Sequence, residues 1–179
     1  MEIRMDNKNI LNNDPSVTAW GWSITDWKEN ILDAGCIKTK SEHKKRRIRK
    51  GDDTVRRISI INKKLKEIVD EYNVGFMTSE LPHGSQSASA ATMIGIVTGI
   101  IQTWSDALNI GIEWYSQGDV KKCLFGRQSV TKAEMIDKID SIYSVPWTDI
   151  KYRDEAIADS LGVYRTFTQK SSMFKLMRN

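Results

Sequence analysis

Asp14 closes the stretch Asn9 to Asp14, in which Ile10 and Leu11 are strand formers, and Pro15 after it cannot donate to a sheet ladder. The carboxylate therefore falls where a strand gives way to a turn. Glu80 has the same setting, because Phe76 to Leu81 starts apolar and is cut by Pro82, reading as a short buried strand with the acid at its carboxyl end. Asp159 lies on a helical stretch, Arg153 to Phe167, whose Ile157, Leu161 and Tyr164 anchor it against a sheet. Carboxylates converging from separate elements are the hard oxygen ligands that divalent ions take. Two such ions about 4 Å apart can grip the attacking water and the leaving oxygen of a phosphodiester. That chemistry needs no histidine, and the chain has only His43 and His83. It has no Ser-His-Asp or Cys-His arrangement, no P-loop and no GxGxxG, so phosphodiester chemistry gains by elimination. Taken singly, each acid has a plainer role open to it. Asp14 suits an Asx turn, Glu80 a cap on the next helix, and Asp159 an ion pair with Arg153 or Arg165.

The elements around these acids follow from periodicity. Residues 19–26 and 31–37 read as strands joined by the polar turn Asp26 to Asn30, with Trp20, Trp22 and Ile24 on one face at period two. The segment 41–53 breaks all periodicity, packs His43, Lys44, Lys45, Arg46, Arg47, Arg49 and Lys50 together, and is expected to be a loop. From Val55, the spacing of Ile58, Ile61, Leu65, Ile68 and Tyr72 predicts an amphipathic helix to about Asn73, ended by Gly75. Residues 87–108 form a long helix with two stripes, small at Ala91, Gly95 and Gly99, large at Ile94, Val97, Ile101, Trp104 and Leu108. A strand over 110–115 and a short basic helix over 119–124 follow. Thr131 and Glu134 form a capping box that opens a helix running through Ile142. The basic tail 169–179 has too few apolar residues to demand packing. The order predicts one α/β domain over 1–179, with a mixed sheet of about five strands flanked by helices. Its 179 residues carry a net charge of +4. Cys36 and Cys123 have neither metal-ligand nor disulfide spacing, which suits a reducing cytoplasm. The most apolar run, Ala90 to Ile101, is broken by Thr and Gly and too short to span a bilayer, so neither secretion nor a membrane anchor is expected.

Five blocks carry a resemblance. DPSVTAWGWSI (14–24), GCIKTK (35–40), SELPHG (79–84), WYSQGDVKKCLFG (114–126) and EAIADSLGVY (155–164) stand in the order of the motifs of RuvC-like Holliday-junction resolvases, a branch of the RNase H-like superfamily. The resemblance covers most of residues 9–164. It implies an RNase H-like fold, a homodimer acting on four-way DNA, Mg2+ as cofactor with Mn2+ able to substitute, two ions per site, and no small-molecule cofactor. Asp14, Glu80 and Asp159 match three metal-binding carboxylates of the family. Lys121 and Lys122 match its Val-Lys-Lys, and His83 stands where RuvC proteins often carry an aromatic that stacks at the opened junction. The chain departs from the pattern at Ala156, where the family has Asp or His, and at Ser116-Gln117-Gly118 in place of Thr-Pro. Its basic run is also longer, and so compact a chain would suit a phage resolvase.

The departure at Ala156 leaves the fourth ligand to be found. Four positions before Asp159 on a helix, Glu155 is offset by about 40°, whereas Asp154 faces away by about 140°. Glu155 is therefore the expected fourth ligand; the alternative is that both acids merely complement the helix dipole. Lys44, Lys45, Arg46, Arg47, Arg49 and Lys50 are expected on the phosphate backbone, the alternatives being a solvated surface run or a localisation tag. His83 is equally well read as an ordinary loop residue, and Lys121 and Lys122 as an exposed helix face. Two other functions remain: a nuclease of the same fold acting on flaps, gaps or RNA–DNA hybrids, and a branched-DNA-binding protein that does not cut.

Overall fold

The computed structural model describes residues 8–85 and 87–178. Its centre is a five-stranded mixed sheet. The strands β1 (Asn9–Asp14), β2 (Ala19–Thr25) and β3 (Ile31–Lys38) form an antiparallel meander, and β4 (Val74–Leu81) and β5 (Gly111–Ser116) add in parallel on the other side of β1. The order is β3-β2-β1-β4-β5. Because β1 and β4 are parallel neighbours, Asp14 and Glu80 emerge at the same end of the sheet.

Period-two alternation sorts the strand residues onto two cores. Leu11, Trp20, Ile24 and Met77 pack against α2 (Lys50–Tyr72) and α3 (Ala88–Leu108). Ile10, Phe76 and Tyr115 face α4 (Gln117–Phe125), α5 (Lys132–Asp140) and α6 (Lys151–Lys170). Asp14 shares the parity of Ile10, and Glu80 that of Phe76, so both acids lie on the α6 side. On that side a buried polar ladder stands between the apolar core and the acids. Asn12 Nδ2 donates to Ser23 and Thr25, Thr78 Oγ1 donates to Asn12 Oδ1 at 2.7 Å, and Ser160 Oγ of α6 donates to Ser23 Oγ at 3.1 Å. All five residues are fully buried, so each bond satisfies a group whose desolvation would otherwise be costly.

The basic segment is a correction. It is not a loop throughout: His43–Arg46 form a short helix, α1, closed by Arg47 at φ 52°, and α2 begins at Lys50, five residues before the expected start. The first turn, charged but for Gly51, has its own support. Arg49 grips Asp52 through two hydrogen bonds of 2.8 and 2.9 Å, and the buried Asp53 accepts from Arg56, Ser41 and the Glu42 amide. Burial alone would raise the Asp53 pKa, but those bonds hold it at about 2. Gly51 lies inside this turn. At the other end Asn73, at φ 49°, terminates α2, and Gly75 belongs to β4. The capping box of α5 forms as expected, although the helix stops at Asp140, before Ile142.

The tail is the second correction. Beyond α6, residues 172–178 fold as α7 (Ser172–Arg178), and Phe174 is 1% exposed. Its ring stacks on Trp27 at 5.9 Å and meets Phe167 edge-on at 5.2 Å. One aromatic, placed one turn past Ser171, supplies the burial that the tail's composition does not suggest. Among the described residues, no helix is long and apolar enough to cross a membrane.

Candidate active site

The site is built where α6 crosses the end of β1 and β2. Gly21, paired across from Asp14 in the sheet register, has no side chain, and a Cβ there would lie 2.1 Å from the Ala156 carbonyl oxygen. Its absence lets α6 rest directly on β2. Asp159, one turn beyond Ala156, is thereby carried to Asp14 and Glu80.

The three carboxyls feel one another. Burial pushes the Asp14 pKa well above the ordinary carboxylate value, and the charges of Asp159 and Glu80 push it further. Burial and Asp159 raise Glu80 to about 7, against the pull of Lys132 and Lys121. Asp159 is also raised, first by burial, with Lys132 opposing and Glu155 adding to the effect. Like charges from three elements forced into a partly dry space are an arrangement that calls for a cation.

Lys132 supplies one. Its ammonium donates to Asp159 Oδ2, and its own pKa is raised by Asp159, Asp14 and Glu80 against the cost of partial desolvation, although the side chain stays about half exposed. The ion pair available to Asp159 is thus made with Lys132, not with Arg153 or Arg165. The sequence reading missed this lysine. A signal was present, since a cation directly after an N-cap, in the first turn of a helix, runs against the macrodipole and needs an acidic neighbour to explain it.

Among the described residues, no three acidic, His or Cys side chains close on a single point as a finished ligand cage. The donors are nevertheless of the right kind: hard carboxylate oxygens, destabilised by mutual repulsion, with an ammonium already among them as a stand-in positive charge. Glu155, half-buried on the Asp159 face of α6, contributes to the Asp159 field. Asp154 points elsewhere, its Oδ1 accepting from the Thr148 amide at 2.9 Å and the Thr148 hydroxyl at 2.7 Å.

Basic groups surround this end of the sheet. Lys121, on α4, is close enough to act on both Glu80 and Asp159. With His83, Lys122, Gln117 and Gln128 it lines a polar recess of about 310 Å3. The antiparallel meander brings the end of β3 to the same side. There Arg57 ties the β1–β2 turn to β3, donating to Val17 O, Thr18 Oγ1 and Thr39 Oγ1. Lys44, Lys45, Arg46 and Arg47 stand exposed on and after α1. Arg46 is paired with Glu42, Arg49 with Asp52, and Lys50 donates to Ser89 at 3.1 Å.

A mixed sheet with its antiparallel meander first, acids at the ends of its first and fourth strands, and a third acid on a helix crossing them define an RNase H-like domain. Two solved structures of Thermus thermophilus RuvC share the fold. One, in complex with Holliday junction substrate, matches with a TM-score of 0.68 over 90% of this chain and 93% of its own, at 17% identity. The other matches with a TM-score of 0.67, covering 92% and 96%, at 16% identity. The chain belongs to the RuvC family, crossover junction endodeoxyribonuclease RuvC, whose model matches residues 10–164. Among named relatives, RuvC of Ehrlichia canis is 23% identical over 155 residues, covering 86% of this chain and 94% of the relative. RuvC of Methylococcus capsulatus is 27% identical over 128 residues, covering 70% and 72%.

Proposed function

We propose that this chain is a divalent-metal-dependent endonuclease that resolves four-way DNA junctions, with Asp14, Glu80, Asp159 and Glu155 as its ligand set. The observation that carries the reading is the convergence of three carboxyls from β1, β4 and α6, with Asp159 raising the pKa of both Asp14 and Glu80 and Glu80 raising that of Asp14, in a chain of the RuvC family. Bound Mg2+, two ions in our reading, would activate water and offset charge on the phosphate. The protein's part is to fix the geometry. β1 and β4 hold Asp14 and Glu80 rigidly, α6 presses Asp159 toward them through the Gly21 contact, and Glu155 reaches the site from one turn below. Lys132 leaves Asp159 when that carboxylate is engaged and turns to a phosphate oxygen. Lys121 holds the neighbouring backbone, and the α1 segment supplies non-specific phosphate contacts.

Paired cuts at a two-fold junction call for two sites in a two-fold dimer. The surface we assign to the second copy is an apolar recess of about 580 Å3 between α2 and α3, lined by Ile58, Gly95, Ile96, Gly99, Ile100 and Trp104 among others. Cβ atoms at Gly95 and Gly99 would meet nothing within 4 Å, so the small stripe leaves room for another helix to approach. The reducing cytoplasm suits the two free cysteines.

The test is cutting of a synthetic four-way junction in Mg2+, set against duplex, flap and RNA–DNA hybrid. Symmetric nicking of the junction, abolished in Asp159→Asn with binding kept, is the expected result. Preferential cutting of a control substrate would transfer the reading to another nuclease of this fold, and binding without cutting would end it.

A further inference from the structure

The sheet stops at the outer edge of β3. β3 is the last strand of the order, and among the described residues no strand lies beyond it. Thr39 N–H donates inward to Thr18 O at 3.1 Å, and no register shift separates that pair from Ala34. Antiparallel pairing turns alternate residues inward and outward, so the N–H and C=O groups of Lys38, Cys36 and Ala34 point away from β2. Ala34 agrees, since its N–H donates to Asp33 Oδ1 at 2.8 Å. Devices that blunt an exposed edge stand at the two ends of the strand. At its start are the register shift before Asp33 and the Asp33 carboxylate, which also accepts from the Tyr72 hydroxyl at 2.6 Å. At its finish is Lys38, whose ammonium lies 4.3 Å over the Tyr152 ring. The middle, residues 34–37, has neither charge nor proline.

A groove of about 550 Å3 runs along this edge. Every residue of β3 from Asp33 to Lys38 lines it, so it lies against the edge and not against one face. α2 walls it on one side, from Ile60 to Tyr72, and Thr148 with Arg153 on the other. Asp33 to Lys38 is about 17 Å of strand, and Ile60 to Tyr72 about 18 Å of helix, so the groove has the length of about five extended residues. Gly35 keeps its floor flat, leaving room for the Trp22 indole, which a Cβ there would meet at 2.7 Å. One end is acidic, with Asp33, Glu67 and Glu71 in the wall. Lys64 answers Glu67, and among the described residues no cation pairs with Asp33 or Glu71. That end points away from the catalytic acids, because Asp33 faces Ile24, and Ile24 faces Leu11, three residues before Asp14. Its charge repels phosphate and suits a cationic side chain, while the outward amides and carbonyls suit another polypeptide backbone. We infer that the groove docks an extended segment of a partner protein as a sixth strand beside β3, with a Lys or Arg of that segment over Asp33 and Glu71. The docking site is independent of the nuclease reading.

The experiment selects random displayed heptapeptides on the full chain and measures the enriched sequences as labelled synthetic peptides by fluorescence anisotropy. Enriched peptides should carry Lys or Arg at one end of a run rich in β-branched or aromatic residues, and in amide NMR spectra the Ala34, Cys36 and Lys38 signals should shift first. Cys36→Pro, which deletes an outward N–H and no bond to β2, should weaken binding about 2- to 12-fold. Methylating alternate amides of the peptide removes the same ladder with the protein unchanged, and carries the comparison if thermal melting shows that Cys36→Pro does not fold. Glu71→Lys should weaken the same peptide about 2- to 10-fold and strengthen a counterpart with Glu in place of its cation. No enriched peptide, or binding indifferent to Cys36→Pro and to amide methylation, overturns the site. Displacement of the peptide by duplex DNA would assign the groove to nucleic acid, and a dimer lost in Cys36→Pro by light scattering would assign it to a second copy; either result also overturns it.

Discussion

Gly21→Ala tests how the site is assembled. The added Cβ would sit 2.1 Å from the Ala156 carbonyl oxygen and 2.6 Å from its carbon, against about 3.5 Å for ordinary contact. The opposing atoms are helix backbone, which cannot rotate aside, so α6 must withdraw by roughly 1.4 Å. Overpacking of this kind costs about 1–3 kcal/mol, or about 2–12 °C in melting temperature for a chain of this size. The displacement falls on the gap between Asp14, paired with Gly21, and Asp159, one turn past Ala156. A misplacement of about 1 Å costs on the order of 100-fold in rate. Differential scanning fluorimetry and single-turnover junction cutting read the two effects, with Gly51→Ala as control. Gly51 lies in the first turn of α2 with nothing within 4 Å of an added Cβ, and its substitution should be neutral or stabilising by up to about 1 kcal/mol. Gly21→Ala protein that melts within 1 °C of wild type, on the order of the assay's scatter, and cuts at the same rate would refute the reasoning.

Four other outcomes are expected. Asp14, Glu80 and Asp159 have folded pKa values above their unfolded ones, Glu80 at about 7, so the folded metal-free protein holds protons that the unfolded chain releases. Their contribution is fully present below the unfolded carboxylate range and is lost as pH rises through about 7; melting in EDTA from pH 4 to 8 should show the decline, and Mg2+ should reverse it at the upper end. Replacing Lys44, Lys45, Arg46 and Arg47 by Ala should weaken binding to every DNA shape and flatten the log affinity against log salt slope by up to about 0.9 per lost contact; an unchanged slope places the α1 segment off the DNA. Phe174→Ala should cost about 3–5 kcal/mol in urea unfolding, because it opens a cavity among Trp27, Tyr164 and Phe167, whereas an unpacked tail would lose nothing. Glu155→Gln should raise the Mg2+ concentration for half-maximal cutting, while Asp154→Asn, whose amide oxygen can still accept from the Thr148 amide and hydroxyl, should leave both stability and metal dependence nearly unaltered; equal metal titrations would remove Glu155 from the ligand set.

The strand-end acids were readable because two local rules coincide at each: alternation ends, and a proline one or two residues later forbids the ladder to continue. These rules placed the ends of β1 and β4, the helical spacing of Ile157, Leu161 and Tyr164 placed α6, and together they implied a site between sheet and helix. The basic segment escaped because its helical support is electrostatic: Arg49 with Asp52, and Arg56 with Asp53, carry no apolar periodicity, although their three-residue spacing is visible in the sequence. Phe174 escaped because one aromatic does not make a pattern, and its partners lie on other elements, Tyr164 and Phe167 on α6 and Trp27 far away in the chain.

What no periodicity could reveal is why α6 lies so close to the sheet. The contact is made by small and polar residues, Gly21 and Ser23 below, Ala156 and Ser160 above, where an apolar count would predict a weak interface. On its flank Gly162 is close as well, though less so, since a Cβ there would lie 3.1 Å from the Val120 side chain on α4. Large side chains would stabilise the packing more per residue but would hold the helix axis farther from the strands, out of reach for a carboxylate as short as that of Asp159. The small-residue seam and the hydrogen-bonded ladder of Asn12, Ser23, Thr78 and Ser160 thus answer one requirement: three acids from three elements must meet, and hydrophobic burial elsewhere in the two cores supplies the stability that this seam does not.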